Sequence, residues 1–221
     1  GADAIYIGAE QLGARSAAGN SVEDIAQLCQ YAKQFGVKVY VTLNVIVYEH
    51  EIDYCQKLIT QLYEAGVDAL IVQDMGVLKM DIPPIELHAS TQTDNRTADK
   101  VSWLKSLGFA RVVLARELSL DAIKAIHKEE PDVELEVFVH GALCVSYSGV
   151  CYVSQHSFGR SANRGECAQF CRMSFDLVDS DDREIEHQRH LLSLKDMCRI
   201  NELEQLADAG ATSFKIEGRL K

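Results

Sequence analysis

The chain has 221 residues, of which 47% are hydrophobic and 25% charged, as is typical of a globular protein with one large core. Its formal net charge of −11 excludes strong non-specific nucleic-acid binding by this chain alone, because phosphate contacts need Lys and Arg. An RNA substrate stays open if another domain supplies a basic surface. The sequence has neither an apolar run long enough to cross a bilayer nor a secretion leader, so we expect a cytoplasmic protein.

Short aliphatic and β-branched segments recur along the chain, with the mostly unbroken apolar character of parallel strands buried on both faces. Between them lie amphipathic segments with helix signals. Ser21 and Ser119 precede acidic residues, as N-caps do, and a glycine such as Gly66 ends the helix. This alternation predicts an α/β fold with a parallel sheet. The predicted core strands lie at 4–7, 37–43, 69–72, 85–88, 111–114, 135–139 and 213–216.

The start of the chain looks like the junctions at which its own helices lead into strands. Residues 65–69, Ala-Gly-Val-Asp-Ala, form such a junction, and residues 1–4 read Gly-Ala-Asp-Ala. We therefore expect Gly1 to end a helix that precedes this sequence, with a strand and a helix missing upstream and a helix following Lys221. Seven visible strands plus one missing strand predict a TIM-like (β/α)8 barrel, N-terminally truncated, as a single domain over 1–221. An open doubly wound sheet is the second choice.

The segment 141–196 interrupts the alternation and is predicted to be an insertion that carries four of the seven cysteines. It also offers two short strands, at 174–178 and 184–186, around a polar turn. A connection of this length inside a compact barrel is usually functional. It follows the seventh strand, counting the missing one as the first, and so leaves from the C-terminal face, where such barrels have their active sites.

The four clustered cysteines are Cys144, Cys151, Cys167 and Cys171, separated by six, fifteen and three residues. In a reducing compartment, clustered cysteines more often indicate metal binding or catalysis than disulfides. Structural zinc also takes four cysteines, but zinc ribbons use tighter pairs, so the loose spacing favours an iron–sulfur cluster over zinc. A disulfide pair is the third alternative. Of the other cysteines, Cys29 and Cys55 lie on apolar helix stripes, and no role is assigned to Cys198.

Polar side chains follow the predicted strands and are expected to converge on the mouth of the barrel. Some of them could instead cap helices or pair with each other. The glycine-bearing basic loop 159–165 could hold an anion or simply wrap the metal. The candidate acid–base or orienting residues are His88, Glu117, His140 and Glu217, and the candidate substrate contacts are Asn44, Gln92, Arg116, Arg160, Arg164 and Arg219.

A cysteine-protease dyad of His140 with Cys144 would need a third group to orient the imidazole, and none is recognisable in the sequence. Cys144 is better used as a metal ligand. The sequence also contains no serine nucleophile elbow and no H-E-x-x-H motif.

Five stretches of the sequence resemble the peptidase U-32 family of collagenase-like proteases. The signature is the run 136–144, Glu-Val-Phe-Val-His-Gly-Ala-Leu-Cys, followed by Ser-Gly-Val-Cys at 148–151. Supporting matches are Leu-His-Ala-Ser-Thr-Gln at 87–92, Val-Leu-Ala-Arg-Glu-Leu-Ser at 113–119 and Phe-Lys-Ile-Glu-Gly-Arg at 214–219. They span most of the chain in the order of the family.

The resemblance implies an oxygen-independent hydroxylase, since characterised family members hydroxylate a cytidine of large-subunit ribosomal RNA, the wobble uridine of tRNA or ubiquinone precursors. These hydroxylases hold a 4Fe–4S cluster on four cysteines that match Cys144, Cys151, Cys167 and Cys171. The RNA-modifying members depend on prephenate, and the stretch 159–169 looks closest to the ribosomal-RNA branch. The expected function is therefore RNA base hydroxylation, with RNA docking through regions outside this chain and no membrane partner. The alternatives are a U-32-type peptidase and a zinc-stapled, non-enzymatic barrel module.

Overall fold

The computed structural model describes residues 1–14 and 19–218, so the candidate Arg219 lies outside the described residues. Over these residues, seven core strands and one two-residue strand run parallel in one sheet, and six of the core strands follow one another across it in chain order. The eleven strands are β1 (Ala4–Ala9), β2 (Gly19–Asn20), β3 (Lys38–Leu43), β4 (Ala69–Val72), β5 (Glu86–Ala89), β6 (Arg111–Val113), β7 (Glu134–Gly141), β8 (Phe175–Val178), β9 (Glu184–Arg189), β10 (Met197–Cys198) and β11 (Ala211–Ile216).

Helices connect most of the parallel strands, as the alternation predicts, whereas only a 3₁₀ turn lies between β4 and β5. The N-caps are confirmed: the Ser21 Oγ accepts a hydrogen bond from the Asp24 amide at 3.1 Å, and the Ser119 Oγ accepts one from the Ala122 amide at 3.2 Å. Gly66 follows α2 with a φ of +86°, which favours glycine. The helices are α1 (Val22–Lys33), α2 (Ile52–Glu64), α3 (Ala98–Ser106), α4 (Leu120–Glu129), α5 (Val153–Phe158) and α6 (Leu203–Asp208), with 3₁₀ turns at Glu49–Glu51, Met75–Lys79, Thr91–Thr93, Ala162–Arg164, Phe170–Arg172 and Ile200–Glu202.

The centre of the sheet is buried on both faces, as expected for parallel strands. All four residues of β4 are buried, and the same strand contributes to two different clusters. Leu70 and Val72 join the large core between sheet and helices, whereas Ala69 and Ile71 pack on the inner face. Burial of each large aliphatic side chain in the outer core stabilises the fold by about 1.5–3 kcal/mol, which fixes the register of the strands.

The parallel sheet is confirmed, but the described residues do not show a closed barrel. Apart from the two-residue β2, the two ends of the row of parallel strands are β1 and β11, and no pairing joins them within the described part of the chain. The sheet is nevertheless strongly curved. Its curvature brings the Lys215 ammonium of β11 within 4.1 Å of the ring centroid of Tyr6 on β1. The short strand β2 pairs only with the C-terminal end of β1, where Gly8 lies opposite Gly19.

The insertion leaves the end of β7 and returns to the same place. Strand β10, which the sequence did not predict, pairs antiparallel with β7, so that Met197 lies opposite Gly141 and Cys198 opposite His140. The two short predicted strands form the antiparallel hairpin β8–β9. Both ends of 141–196 are therefore fixed at the C-terminal end of one strand. Over the described residues, no helix combines the length and apolar character that crossing a membrane requires.

Candidate functional site

The C-terminal ends of the parallel strands and the insertion enclose a cavity of about 1690 Å³ that also extends along the gap between β1 and β11. The fold brings residues from distant parts of the sequence to this one space, as the strand-end argument predicts. Eight candidate residues line it: Asn44, Gln92, Arg116, Glu217, Cys144, Cys151, Cys167 and Cys171.

The four cysteines reach the cavity from separate pieces of the insertion. Cys144 follows β7, Cys151 precedes α5, and Cys167 and Cys171 lie around the last 3₁₀ turn before the hairpin. All four are free thiols. Burial of its sulfur by the surrounding loop raises the pKa of the Cys144 thiol, and the neighbouring Cys151, Cys171 and Cys167 raise it further because several thiolates would repel one another. A bound cation would reverse this effect by favouring the thiolates.

The spacing of the sulfur atoms bears on which metal the four thiols could hold. Four sulfurs bound to one zinc ion at 2.3 Å would be about 3.8 Å apart. Among the described residues, only the exposed trio Asp176, Glu184 and His187 brings three potential ligand atoms within 4.8 Å of one another, so no three cysteine sulfurs do. A 4Fe–4S cluster instead places each of its four thiolates on a different iron, so these sulfur ligands lie farther apart than around one zinc ion. Four free thiols around one cavity are a donor set that such a cluster takes.

Arg116 and Glu217 form an ion pair in the wall of the cavity. An Nη of Arg116 donates to Glu217 Oε2 at 3.1 Å and to the carbonyl of Ala142 at 2.5 Å. Its guanidinium lies 4.0 Å from the ring centroid of Phe138. Glu217 is buried, and its amide donates to the carbonyl of His140 at 2.9 Å. These contacts connect the ends of β6, β7 and β11, so the pair presents one cation and one anion at fixed positions.

Asn44 and Gln92 line the opposite part of the cavity. Both polar atoms of the Asn44 amide have a partner, since its Oδ1 accepts from the Ala14 amide at 3.0 Å and its Nδ2 donates to Ser90 Oγ at 3.3 Å. The backbone carbonyl of Gln92 accepts a hydrogen bond from Gln73 at 3.4 Å. Within the described chain, the side-chain amide of Gln92 has no hydrogen-bond partner, so it is available to a bound molecule.

Five predicted site residues do not line the cavity, and the first two have structural contacts instead. His88 is fully buried on the inner face of β5, where its Nε2 lies 2.6 Å from Glu86 Oε1 and its ring packs edge-on against Tyr40. Glu117 is exposed and accepts hydrogen bonds from the amide and the hydroxyl of Ser148, at 3.2 and 3.1 Å. Glu117 therefore holds the loop between the first two cysteines.

The other three are His140, Arg160 and Arg164. The side chain of His140 is exposed outside the cavity wall. Arg164 makes a two-point ion pair with Glu51, at 2.9 and 2.6 Å, and its guanidinium lies over the ring of Tyr48, so this cation is already neutralised. Arg160 is exposed, and no side-chain partner is present for it in the described part of the chain.

A buried charged network on the inner face was not predicted as part of the site. Lys215 Nζ donates to Glu136 Oε1 at 2.7 Å, and Arg111 donates to Glu136 Oε2 at 3.1 Å. Burial alone would raise the pKa of the Glu136 carboxyl, but the positive charge of Lys215 has the larger effect and lowers this pKa. The pKa of Lys215 is also lowered, because burial disfavours its charged form. The available signal was Glu136, a charged residue between the apolar neighbours Leu135 and Val137 of β7.

The fold and the site together define the class of protein: a parallel α/β sheet whose strand ends and inserted four-thiol segment enclose one cavity. Comparison with known families agrees with this class. The chain belongs to peptidase family U32, whose family model matches residues 1–221.

Two relatives and one solved structure illustrate the family. The chain is 56% identical over its whole length to the 23S rRNA 5-hydroxycytidine C2501 synthase of Escherichia coli (strain K12), and 38% identical to tRNA hydroxylation protein P1 of Bacillus subtilis (strain 168). It spans 34% of the first relative and 54% of the second. The solved structure of the U32 peptidase Mk0906 matches with a TM-score of 0.53 and 16% identity, over 63% of this chain and 62% of that one, and supports the fold alone.

Proposed function

We propose that this chain forms the core of an iron–sulfur-dependent, oxygen-independent hydroxylase that modifies a base in RNA, either a ribosomal cytidine or a tRNA wobble uridine. The observation that carries the proposal is the convergence of four free thiols on one cavity that is large enough for a nucleotide. The names of the two relatives supply the substrate class. The ribosomal branch is favoured by the higher identity of the first relative.

In this proposal Cys144, Cys151, Cys167 and Cys171 hold a 4Fe–4S cluster, which supplies redox chemistry when bound. The residues of the chain position the substrate. The free amide of Gln92 can donate to and accept from the edge of a base that has been turned into the cavity. Glu217 is placed to accept a proton, and Arg116 keeps its carboxylate oriented. Prephenate enters as a co-substrate or cofactor precursor.

The proposal includes a closed barrel. The open edge of β11 carries Phe214 and Ile216, which are 41% and 66% exposed, although they lie on a strand of the central sheet. One further strand between β11 and β1 would cover them and complete eight strands. The acidic chain also leaves RNA docking to sequence outside these residues, in a cytoplasmic protein.

The proposal is tested by purifying the full-length protein without oxygen and measuring iron, zinc and the visible spectrum. We expect a brown, iron-bearing protein, loss of iron after Cys144→Ser or Cys167→Ser, and loss of the hydroxylated base in RNA digests analysed by mass spectrometry. Cys198→Ser is the matched control, because Cys198 is also an exposed free thiol but lies on β10. Equimolar zinc without iron, or unchanged base content in the cysteine variants, would overturn the proposal.

A second candidate function is peptide hydrolysis, which the family description and the name of the solved structure favour. A peptidase would cleave a collagen-derived peptide in the wild-type protein and would keep this activity after Cys144→Ser and Cys167→Ser. Cleavage by wild type and both variants, without any effect on RNA, would select this alternative. A zinc-stapled module without enzymatic activity would instead bind zinc and act on neither substrate.

A further inference from the structure

Tyr147 lies in the loop between the first two cysteines and is, like Tyr152, an exposed aromatic residue at the cavity. It lines the cavity and is nevertheless 57% exposed. Exposed aromatic rings also occur elsewhere in the chain, such as Tyr31 at 61%, but Tyr31 lies outside the cavity. The exposure of Tyr147 at the cavity therefore suggests a ring that is left free for a ligand.

One face of the Tyr147 ring is already covered by Arg96. The guanidinium carbon lies 4.0 Å from the ring centroid, which is the distance of a stacked cation–π contact. Both oxygens of Asp94 accept hydrogen bonds from this guanidinium, so its charge is neutralised and its plane is fixed. Within the described residues, no second ring or cation packs against Tyr147. One face of the Tyr147 ring is therefore stacked on Arg96, and the other face has no stacking partner among these residues.

The loop that carries Tyr147 is anchored on both sides of the cavity wall. The next residue, Ser148, donates two hydrogen bonds to Glu117, and Gly149 packs so closely on Gln92 that an added Cβ would lie 2.1 Å from its carbonyl oxygen. Tyr147 is therefore held in place before any ligand arrives, which reduces the entropy lost on binding. Gln92, whose amide is free, is also the residue on which this loop rests.

We propose that Tyr147 is a stacking platform for a base of single-stranded RNA at the mouth of the cavity. This inference rests on the proposed function, since it names how that substrate is held. Proteins bind single-stranded RNA by stacking bases on aromatic rings as well as by contacting phosphates. A chain with a net charge of −11 is poorly suited to phosphate contacts, whereas a stacking contact is independent of the charge of the chain.

The test uses the full-length protein, purified without oxygen, and a short single-stranded RNA that contains the fluorescent base 2-aminopurine. We expect Tyr147→Ala to weaken binding of this RNA by roughly tenfold, the size of one lost base–aromatic stack. Tyr147→Phe keeps the ring and should bind like wild type. The effect of Tyr147→Ala should be equal at low and high salt, because a stack releases no counterions. Tyr31→Ala is the control, since Tyr31 is 61% exposed on α1 and lies outside the cavity.

Three results would each overturn the inference. They are wild-type RNA affinity in Tyr147→Ala, a loss of affinity in Tyr147→Phe as large as in Tyr147→Ala, and no binding of the RNA by the wild type. Iron content and thermal unfolding are measured for each variant, and Tyr147→Leu, which fills a similar volume without a ring, should behave like the alanine variant. Base modification separates the two proposals. If the wild type modifies no RNA but Tyr147→Ala still weakens RNA binding, the proposed function is contradicted and the stacking role of Tyr147 is supported. If Tyr147→Ala still binds and modifies RNA like the wild type, only the stacking role of Tyr147 is contradicted.

Discussion

His88 is the buried imidazole of the inner face, and its surroundings disfavour the protonated form. Burial lowers its pKa below the usual 6.5, although the hydrogen bond with Glu86 opposes this shift. The Nδ1 atom is buried without a partner among the described residues, and the positive Arg111 nearby lowers the pKa further. His88 is therefore neutral in the folded protein at neutral pH and acts as a packing residue between Tyr40 and Glu86 rather than as a proton carrier in the cavity.

The lowered pKa of His88 predicts a loss of stability in acid. Its neutral form contributes stability that is fully present above the unfolded pKa of 6.5 and is lost as the pH falls through the lower folded pKa, because the unfolded chain binds the proton more readily. We expect the free energy of unfolding, measured with urea, to fall between about pH 7 and pH 5. His88→Gln should flatten this part of the profile.

The control for this prediction is His156→Gln, because His156 is exposed on α5. This variant should keep the slope of the wild type. Equal slopes for wild type and His88→Gln would show that the burial of His88 does not determine the acid sensitivity.

The residue types at the site could be predicted from the sequence, but several of their partners could not. The four cysteines and the strand-end positions of Asn44, Gln92 and Arg116 follow from spacing and from the alternation of elements. The pairing of Arg164 with Glu51 joins residues 113 positions apart, and no local pattern indicates such a contact. For the same reason, strand-end position alone gave Glu117 a catalytic role, whereas its observed contacts are with Ser148.

At the scale of elements, the loop 144–151 depends on one close approach between two backbones. Gly149 has a φ of +80°, and an added Cβ would lie 2.1 Å from the carbonyl oxygen of Gln92, which belongs to a 3₁₀ turn and cannot move freely. A side chain at this position would therefore push the loop off the turn after β5. Since the loop carries Cys144 and Cys151 at its ends, its displacement would also change the four-thiol site.

Gly149→Ala is predicted to lower both stability and iron content. The positive φ alone costs about 1–3 kcal/mol for a residue with a side chain, and the clash with Gln92 adds to this cost. Gly159→Ala is a matched control, because Gly159 has a φ of +64° with no atom within 4 Å of the added Cβ. We expect the control to lose some stability and keep its iron, as measured by urea unfolding and metal analysis. Equal iron loss in both variants would contradict the role of the close approach.

The apolar strands of the sheet could be predicted from the sequence. The two-residue strands β2 and β10 could not. The structure confirms β1, β3, β4, β5, β6, β7 and β11, which the sequence marks by mostly apolar runs. Strands β2 and β10 have two residues each, too few for a period, and form because the chain happens to return to an edge. Strand β10 matters most, since it closes the insertion against β7.

At the scale of the whole molecule, the buried charges of the inner face join the two ends of the open sheet. Lys215 of β11 pairs with Glu136 of β7, and its ammonium also lies over the ring of Tyr6 on β1. Chain order and short connections make the succession of parallel strands predictable. The contact across the gap between β11 and β1 is not, because it depends on the curvature of the sheet. One lysine therefore links strands that share no backbone hydrogen bond among the described residues.

Lys215→Met is predicted to destabilise the fold by about 3 kcal/mol, the lower end of the range for a buried ion pair that loses one partner. The loss should not be larger, because Arg111 still contacts the Glu136 carboxylate. Combining Lys215→Met with Glu136→Gln should restore part of the stability, since the double variant no longer buries an excess negative charge. The measurement is the free energy of urea unfolding for the two single variants and the double variant.

The matched control for this cycle is Lys105→Met, which removes a lysine of the same size from a surface pair. Lys105 contacts Glu130 at 3.0 Å, but its side chain is 41% exposed, so solvent screens the pair and its loss should change stability much less than the loss of Lys215. A Lys215→Met variant no less stable than Lys105→Met would mean that the buried ammonium does not hold β11 against β1. In that case the curvature of the sheet would have to come from the outer core alone, where the helices pack on the faces of β3 and β4.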